Sequence, residues 1–139
     1  MQLPIKAHYA TVAMLALAQQ YEIGGLMTAR SMAAEHDIPS QFLIQILQQL
    51  RAAGMVSSTR GSNGGFKLER SPATISVADI LGAVCPLSSA PNVGQSTLSN
   101  VVQELWSQLD AIESQYLRRL KLSHLLQRAA CESESMFYI

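Results

Sequence analysis

Apolar residues recur at helical spacing along most of the chain, and short polar or glycine-rich stretches separate these runs. Ala, Leu and Met, which are strong helix formers, supply nine of the nineteen residues of 3–21 and predict a first helix there. Thr28 can cap a second helix over Ala29–His36 through its hydroxyl group. The pattern then breaks at Asp37–Pro39, because Asp tolerates a left-handed turn and Pro cannot lie in a helix interior.

A third helix and a hairpin follow this break. The helix is predicted to begin at Ser40, or at Pro39 in its first turn, and to end at about Ala53, before a glycine. Its apolar positions are spaced for one helix face: Phe42, Leu43, Ile46, Leu47 and Leu50. Residues 55–60 and 66–70 are β-like, and the glycine-rich segment between them predicts a two-stranded hairpin.

The second half of the chain predicts further helices. Ser76 is placed to cap a short helix over Val77–Val84, and a loop follows at 85–95. A long helix is predicted over about 96–120, and a short terminal helix over 123–130. Apolar residues in the long helix alternate at steps of three and four, which is typical of a seam between two helices. This stripe comprises Leu98, Val102, Leu105, Leu109, Ile112, Tyr116 and Leu120.

These elements predict a mainly α fold with a small β-hairpin. The order helix, helix, turn, helix, hairpin is the plan of a winged helix-turn-helix domain, which we assign to residues 1–84. Residues 85–95 are then a connecting loop. Residues 96–139 are expected to supply a dimerisation helix and a C-terminal segment.

This architecture is suited to binding duplex DNA. An α-helix fits the major groove with its first turn near base edges, and a basic hairpin beside it can reach the backbone or the minor groove. Arg60 precedes glycines at the hairpin tip, where they allow a close approach to DNA. The candidate DNA contacts are Thr28, Ser40, Gln41, Ile44, Gln45 and Arg51 in the helices, and Arg60, Gly61, Gly64 and Lys67 in the hairpin.

Composition and charge modify this prediction only slightly. The chain is 48% hydrophobic and has a net charge of zero, so its total charge does not mark it as a nucleic-acid binder. Residues 1–70 carry six Lys or Arg against four Asp or Glu, and residues 71–139 carry four against six. The small basic excess therefore lies in the predicted DNA-binding half, where local phosphate contacts would use it.

Several motifs make the sequence resemble the IscR/NsrR/CymR-type (Rrf-two) family of bacterial winged helix-turn-helix transcription regulators. The most specific are Leu50–Gly54, which reads Leu-Arg-Ala-Ala-Gly, and Arg60–Phe66, which reads Arg-Gly-Ser-Asn-Gly-Gly-Phe. Matching residues extend in order over about residues 1–126. The resemblance implies a dimer joined by the long helix and a palindromic operator. It also implies base contacts from Pro39–Gln45 and minor-groove contact by Arg60 with its neighbours Ser58 and Gly61. The resemblance thus adds Pro39 and Ser58 to the candidate DNA contacts.

The sequence departs from the family at two places. Members of the family often carry Glu at the position of Ile44, which cannot accept a hydrogen bond from cytosine. Cluster-binding members carry three cysteines in the loop before the long helix, whereas this loop offers Cys85 alone and Cys131 lies beyond that helix. An iron–sulfur cluster needs about four ligands, usually thiolates. We therefore expect no cofactor and no metal.

The sequence predicts a cytoplasmic homodimeric repressor that binds duplex DNA. This prediction is compatible with an unidentified small-molecule or protein effector. No catalytic motif points to an enzyme, since neither a Gly-x-Ser-x-Gly elbow nor a phosphate-binding loop is present. An apolar run at 10–18 is too short to span a bilayer, so no membrane partner is expected. Two alternatives stay open: a winged-helix module for protein–protein interaction, favoured by the low basic count, and a thiol-based redox sensor that uses Cys85.

Overall fold

The structure is a computed structural model that describes residues 3–85 and 92–137. The described elements are six α-helices, two strands and one short 3₁₀ turn. They are α1 (Ile5–Tyr21), α2 (Ala29–His36), α3 (Ser40–Ala52), β1 (Val56–Thr59), β2 (Gly65–Leu68), the 3₁₀ turn Pro72–Thr74, α4 (Val77–Val84), α5 (Thr97–Arg119) and α6 (Leu122–Phe137). The predicted fold class, mainly helical with one hairpin, is confirmed.

Local capping interactions define the helix-turn-helix. The Thr28 hydroxyl accepts a hydrogen bond from the Ser31 amide at 3.1 Å and so caps α2. Asp37 ends α2 in the left-handed conformation, with φ of 53°. Pro39 then occupies the N-cap position of α3, so the helix begins at Ser40. The predicted break between the two helices is therefore confirmed, and it occupies three residues.

The end of α3 leads directly into the hairpin. Gly54 has φ of 80° and its amide donates to the Arg51 carbonyl at 3.0 Å, while the Met55 amide donates to the Leu50 carbonyl at 3.1 Å. This paired arrangement is a Schellman motif, which reverses the chain after a helix. Strands β1 and β2 pair antiparallel, with Val56 opposite Leu68. We call the hairpin from Val56 to Leu68 the wing.

Helix α1 lies at the centre of the core. Its small and apolar residues, including Ala13, Met14 and Leu17, are buried, and α1 packs against α3, α4, α6 and β2. From α3, the buried residues are Leu43, Ile46, Leu47 and Leu50. Phe42 was predicted on this apolar face but is 43% exposed, because it lies at the edge of the face. The Tyr9 ring covers part of it, with 6.2 Å between the ring centroids.

A hydrogen-bonded bridge fixes α4 and the junction between α5 and α6. Ser76 and Asp79 form a capping box at the start of α4. The Val77 amide donates to the Leu120 carbonyl at 2.9 Å, and the Leu122 amide donates to the Ile75 carbonyl at 3.0 Å. Assigning Leu120 to the long-helix stripe was therefore wrong, because this extended residue follows the end of α5 and is half-buried.

The terminal helix is longer than predicted. Instead of 123–130, α6 extends over Leu122–Phe137. It has no Pro or Gly to interrupt it, and it packs on α1 and on the 3₁₀ turn. Within residues 3–85 and 92–137, no helix has both the length and the apolar character required to cross a membrane.

Candidate nucleic-acid interface

The outer face of α3 carries a row of glutamines. Gln41, Gln45 and Gln48 are exposed on the side of the helix opposite the four buried residues. Ser40 is exposed in the first turn, and Ile44 lies beside the row with 51% of its surface exposed. The structure therefore brings the predicted contacts of α3 onto one accessible side. Gln48 was not predicted, although its spacing of three and seven residues from the other two places it on the same side.

This face is polar but nearly uncharged. Arg51, in the last turn, is the one charged residue of α3, all of whose residues are described. A glutamine amide presents a donor and an acceptor, and it can pair with the N6 and N7 atoms of adenine in the major groove. The face is therefore chemically suited to read base edges and contributes little attraction to phosphates.

The wing presents basic groups beside α3. Arg60 is exposed at the tip, and Lys67 is exposed on β2. Gly61, with φ of 112°, adopts a conformation that other residues rarely take. A Cβ atom at Gly64 would overlap the carbonyl oxygen of Thr59, so only glycine fits this tight tip.

One hydrogen bond connects the wing to α3. The Nη1 atom of Arg51 donates to the Ser58 Oγ atom at 3.1 Å. Both residues were predicted as DNA contacts from the sequence, but their mutual contact was not predicted. A guanidinium has five N–H donors, so this bond leaves others for a phosphate oxygen. The bond joins the end of α3 to β1 and supplements the burial of Val56 and Leu68 in the core, which holds the wing against the rest of the domain.

Thr28 and Pro39, also predicted as DNA contacts, have evident structural roles. The hydroxyl of Thr28 caps α2, and Pro39 occupies the N-cap position of α3. Both side chains are exposed near the starts of their helices. Both residues are therefore accessible to a ligand while also setting the helix boundaries.

The long helix α5 exposes an apolar face. All 23 residues of α5 are described and none is buried. The six residues predicted for dimerisation, Leu98, Val102, Leu105, Leu109, Ile112 and Tyr116, are 42% to 80% exposed. Val101 and Trp106 are exposed on the two edges of the same stripe and widen it. We call these eight residues the α5 apolar face.

The two cysteines lie in different parts of the fold. Cys85 is half-buried after the last turn of α4, and Cys131 is exposed on α6. The loop predicted at 85–95 lies partly outside the described residues, which omit 86–91. Among the residues that the structure does describe, no group of three or more His, Cys, Asp or Glu is arranged to hold a metal ion.

Comparison with known proteins agrees with this geometry. A family model described as Rrf2, iron-dependent transcriptional regulator, matches residues 3–128. The transcriptional regulator IscR of Cereibacter sphaeroides is 31% identical over 136 residues, which cover 91% of this chain and 88% of the relative.

Two solved structures share the fold. IscR of T. potens superposes with a TM-score of 0.78 at 29% identity, covering 93% of this chain and 88% of the other. CymR, the global cysteine regulator of B. subtilis, gives a TM-score of 0.80 at 26% identity, covering 92% and 98%. The relatives are named transcriptional regulators, which form a family of DNA-binding proteins and not of enzymes. The resemblance inferred from the sequence motifs is thus confirmed, and the chain belongs to the Rrf2 family of DNA-binding transcriptional regulators.

Proposed function

We propose that this regulator is a homodimeric repressor that binds a palindromic operator and works without an iron–sulfur cluster. In this proposal residues 1–84 bind DNA in the cytoplasm, and residues 96–139 join the two protomers. Helix α3 enters the major groove while the wing follows the adjacent backbone or minor groove. Repression is the simplest output, because a protein that occupies an operator blocks other proteins without needing any further contact.

The α5 apolar face is the observation that carries the proposal. Eight large apolar side chains on a single helix are 42% to 80% exposed. Monomeric soluble proteins rarely expose so large a continuous apolar surface, and such surfaces mark protein interaction sites. A second copy of α5 offers the same stripe, so two helices can cover each other through a two-fold interface.

The same two-fold arrangement explains how a weakly basic domain could bind DNA specifically. Two protomers double the number of glutamine rows and wings that meet the duplex. A two-fold protein matches a palindromic site whose half-sites are separated by about one helical turn, roughly 34–36 Å, or a multiple of it. The dimer therefore compensates for the small number of phosphate contacts that one protomer makes.

The residues available as metal ligands argue against an iron–sulfur cluster. A cluster needs about four ligands, usually thiolates. The sequence has two cysteines, and they lie at the end of α4 and on α6. Its three histidines do not add a group that could hold a metal among the described residues. The ligands that one protomer offers therefore do not fit an iron–sulfur cluster.

Selection of bound duplexes from random DNA tests the proposal. The wild-type chain is expected to enrich a sequence with two-fold symmetry. A variant in which Gln41 and Gln45 are both replaced by Ala should fail to enrich it while keeping its thermal unfolding curve, because both side chains are exposed. Absence of any enriched sequence would instead favour a protein–protein interaction module, and a single unpaired half-site would contradict the dimer.

Repression and the cluster-free state need separate measurements. A reporter gene placed behind the selected operator should be transcribed less when the wild-type chain is present. Protein purified without oxygen should be colourless and contain no stoichiometric iron or sulfide. Increased transcription, or a bound chromophore, would overturn the corresponding part of the proposal.

A further inference from the structure

Ile44 is an apolar residue within a face that otherwise presents polar groups. Its side chain is 51% exposed, whereas Leu43 and Ile46 on either side are fully buried. It lies one helical turn from both Gln41 and Gln48, so its side chain is a neighbour of theirs. Arg51, seven residues further on, shares the same side of α3 and donates to Ser58 of the wing. Ile44 therefore lies at the edge of the glutamine row, on the side of α3 that also carries Arg51.

The chemistry of this part of α3 limits which bases it can read. Guanine is read best by Arg or Lys, and cytosine is read by Asp or Glu. Between Ser40 and Gln48 the helix carries none of these four residue types. Glutamine suits adenine, and an apolar side chain suits the C5 methyl group of thymine. Since adenine pairs with thymine, a glutamine beside an isoleucine is complementary to A·T base pairs.

We propose that Ile44 is a specificity-determining residue that selects thymine by packing against its C5 methyl group in the major groove. The adenines bound by the glutamine row lie in the same base pair as this thymine or in neighbouring base pairs. This inference rests on the proposed function, in which α3 enters the major groove. Burying one methyl group against Ile44 favours thymine over an unmethylated base about fourfold in each half-site.

The experiment uses uracil as the probe, because it differs from thymine only in lacking the C5 methyl group. Each thymine of the selected operator is replaced in turn by uracil, and binding of the full chain is measured at a fixed salt concentration. One thymine in each half-site, at symmetric positions, is expected to give about a fourfold loss of affinity for the wild-type chain. The Ile44→Ala variant should not distinguish thymine from uracil at that position.

Two further variants control the result. Ile44→Val keeps a branched apolar side chain and should retain most of the discrimination. Ile23→Ala truncates an isoleucine that is 78% exposed between α1 and α2, and it should discriminate like the wild-type chain. Thermal unfolding of all three variants shows whether any loss of binding reflects loss of folding.

The outcomes separate this inference from the proposed function. Discrimination that disappears only in Ile44→Ala supports the thymine contact. If no uracil substitution weakens wild-type binding, or if Ile44→Ala keeps the full loss, the thymine contact is wrong while operator binding stands. If the selection yields no operator, both the inference and the proposed function are overturned.

Discussion

The interaction between two α5 helices can be tested by removing apolar surface from the middle of the stripe. Leu105 and Leu109 are 54% and 42% exposed, so each keeps about half of its surface for a partner. Full burial of a leucine side chain contributes roughly 1.5–3 kcal/mol, and burial of the remaining half contributes about 1 kcal/mol. A two-fold dimer contains four such leucines. Replacing both by Ala should therefore weaken the dimer by about 4 kcal/mol, or about a thousandfold in its dissociation constant.

Sedimentation equilibrium over a series of protein concentrations measures this change directly. The folded protomer should survive the double substitution, because no described residue of α5 is buried in its own subunit. Thermal unfolding at concentrations where both proteins are monomeric checks that point, and Ile23→Ala serves as a matched control on a distant exposed isoleucine. An unchanged dissociation constant, or a wild-type chain that is monomeric at every concentration, would refute the assignment of this face to the dimer.

Three other substitutions test the wing and the core. Arg60→Ala should weaken operator binding and make the fall of log affinity with log salt less steep by about one for each protomer. An unchanged slope would show that Arg60 does not contact phosphate. Gly64→Ala should distort the wing tip, because the Cβ atom of the new Ala would overlap the Thr59 carbonyl oxygen. A mobility-shift assay should then show weaker operator binding, and wild-type affinity would contradict this role of the tip. Leu47→Ala should destabilise the fold by about 2–5 kcal/mol in urea unfolding, because Leu47 is fully buried, and a smaller cost would indicate that α3 packs loosely.

Much of the proposed DNA-binding surface follows from short-range patterns in the sequence. Thr28, Asp37 and Gly54 each act on backbone groups within a few residues, so the bounds of α2 and α3 can be predicted without knowing the tertiary structure. The period of the apolar residues likewise predicts which side of α3 is buried. The exposure of the glutamine row follows from that period, and so does the common side of the residues proposed for dimerisation on α5.

The relation between elements depended on contacts that no local pattern encodes. The Arg51–Ser58 bond joins residues on a helix and a strand, and it exists only because the chain turns back after Gly54. Leu120 was predicted in the apolar stripe of the long helix, but its carbonyl accepts a hydrogen bond from the Val77 amide, 43 positions away. This long-range bond takes the place of continued helix, so Leu120 lies outside α5. The partial exposure of Phe42 depends on where Tyr9 of α1 lies.

The sequence alone therefore determined the kind, order and buried sides of most elements, because capping and periodicity act over a few residues. Only the tertiary structure decided how the wing is held beside α3, where α5 ends and how far α6 extends. Those features depend on the balance of packing and hydrogen bonds between segments that are distant in the chain, and that balance is set once the core around α1 has formed.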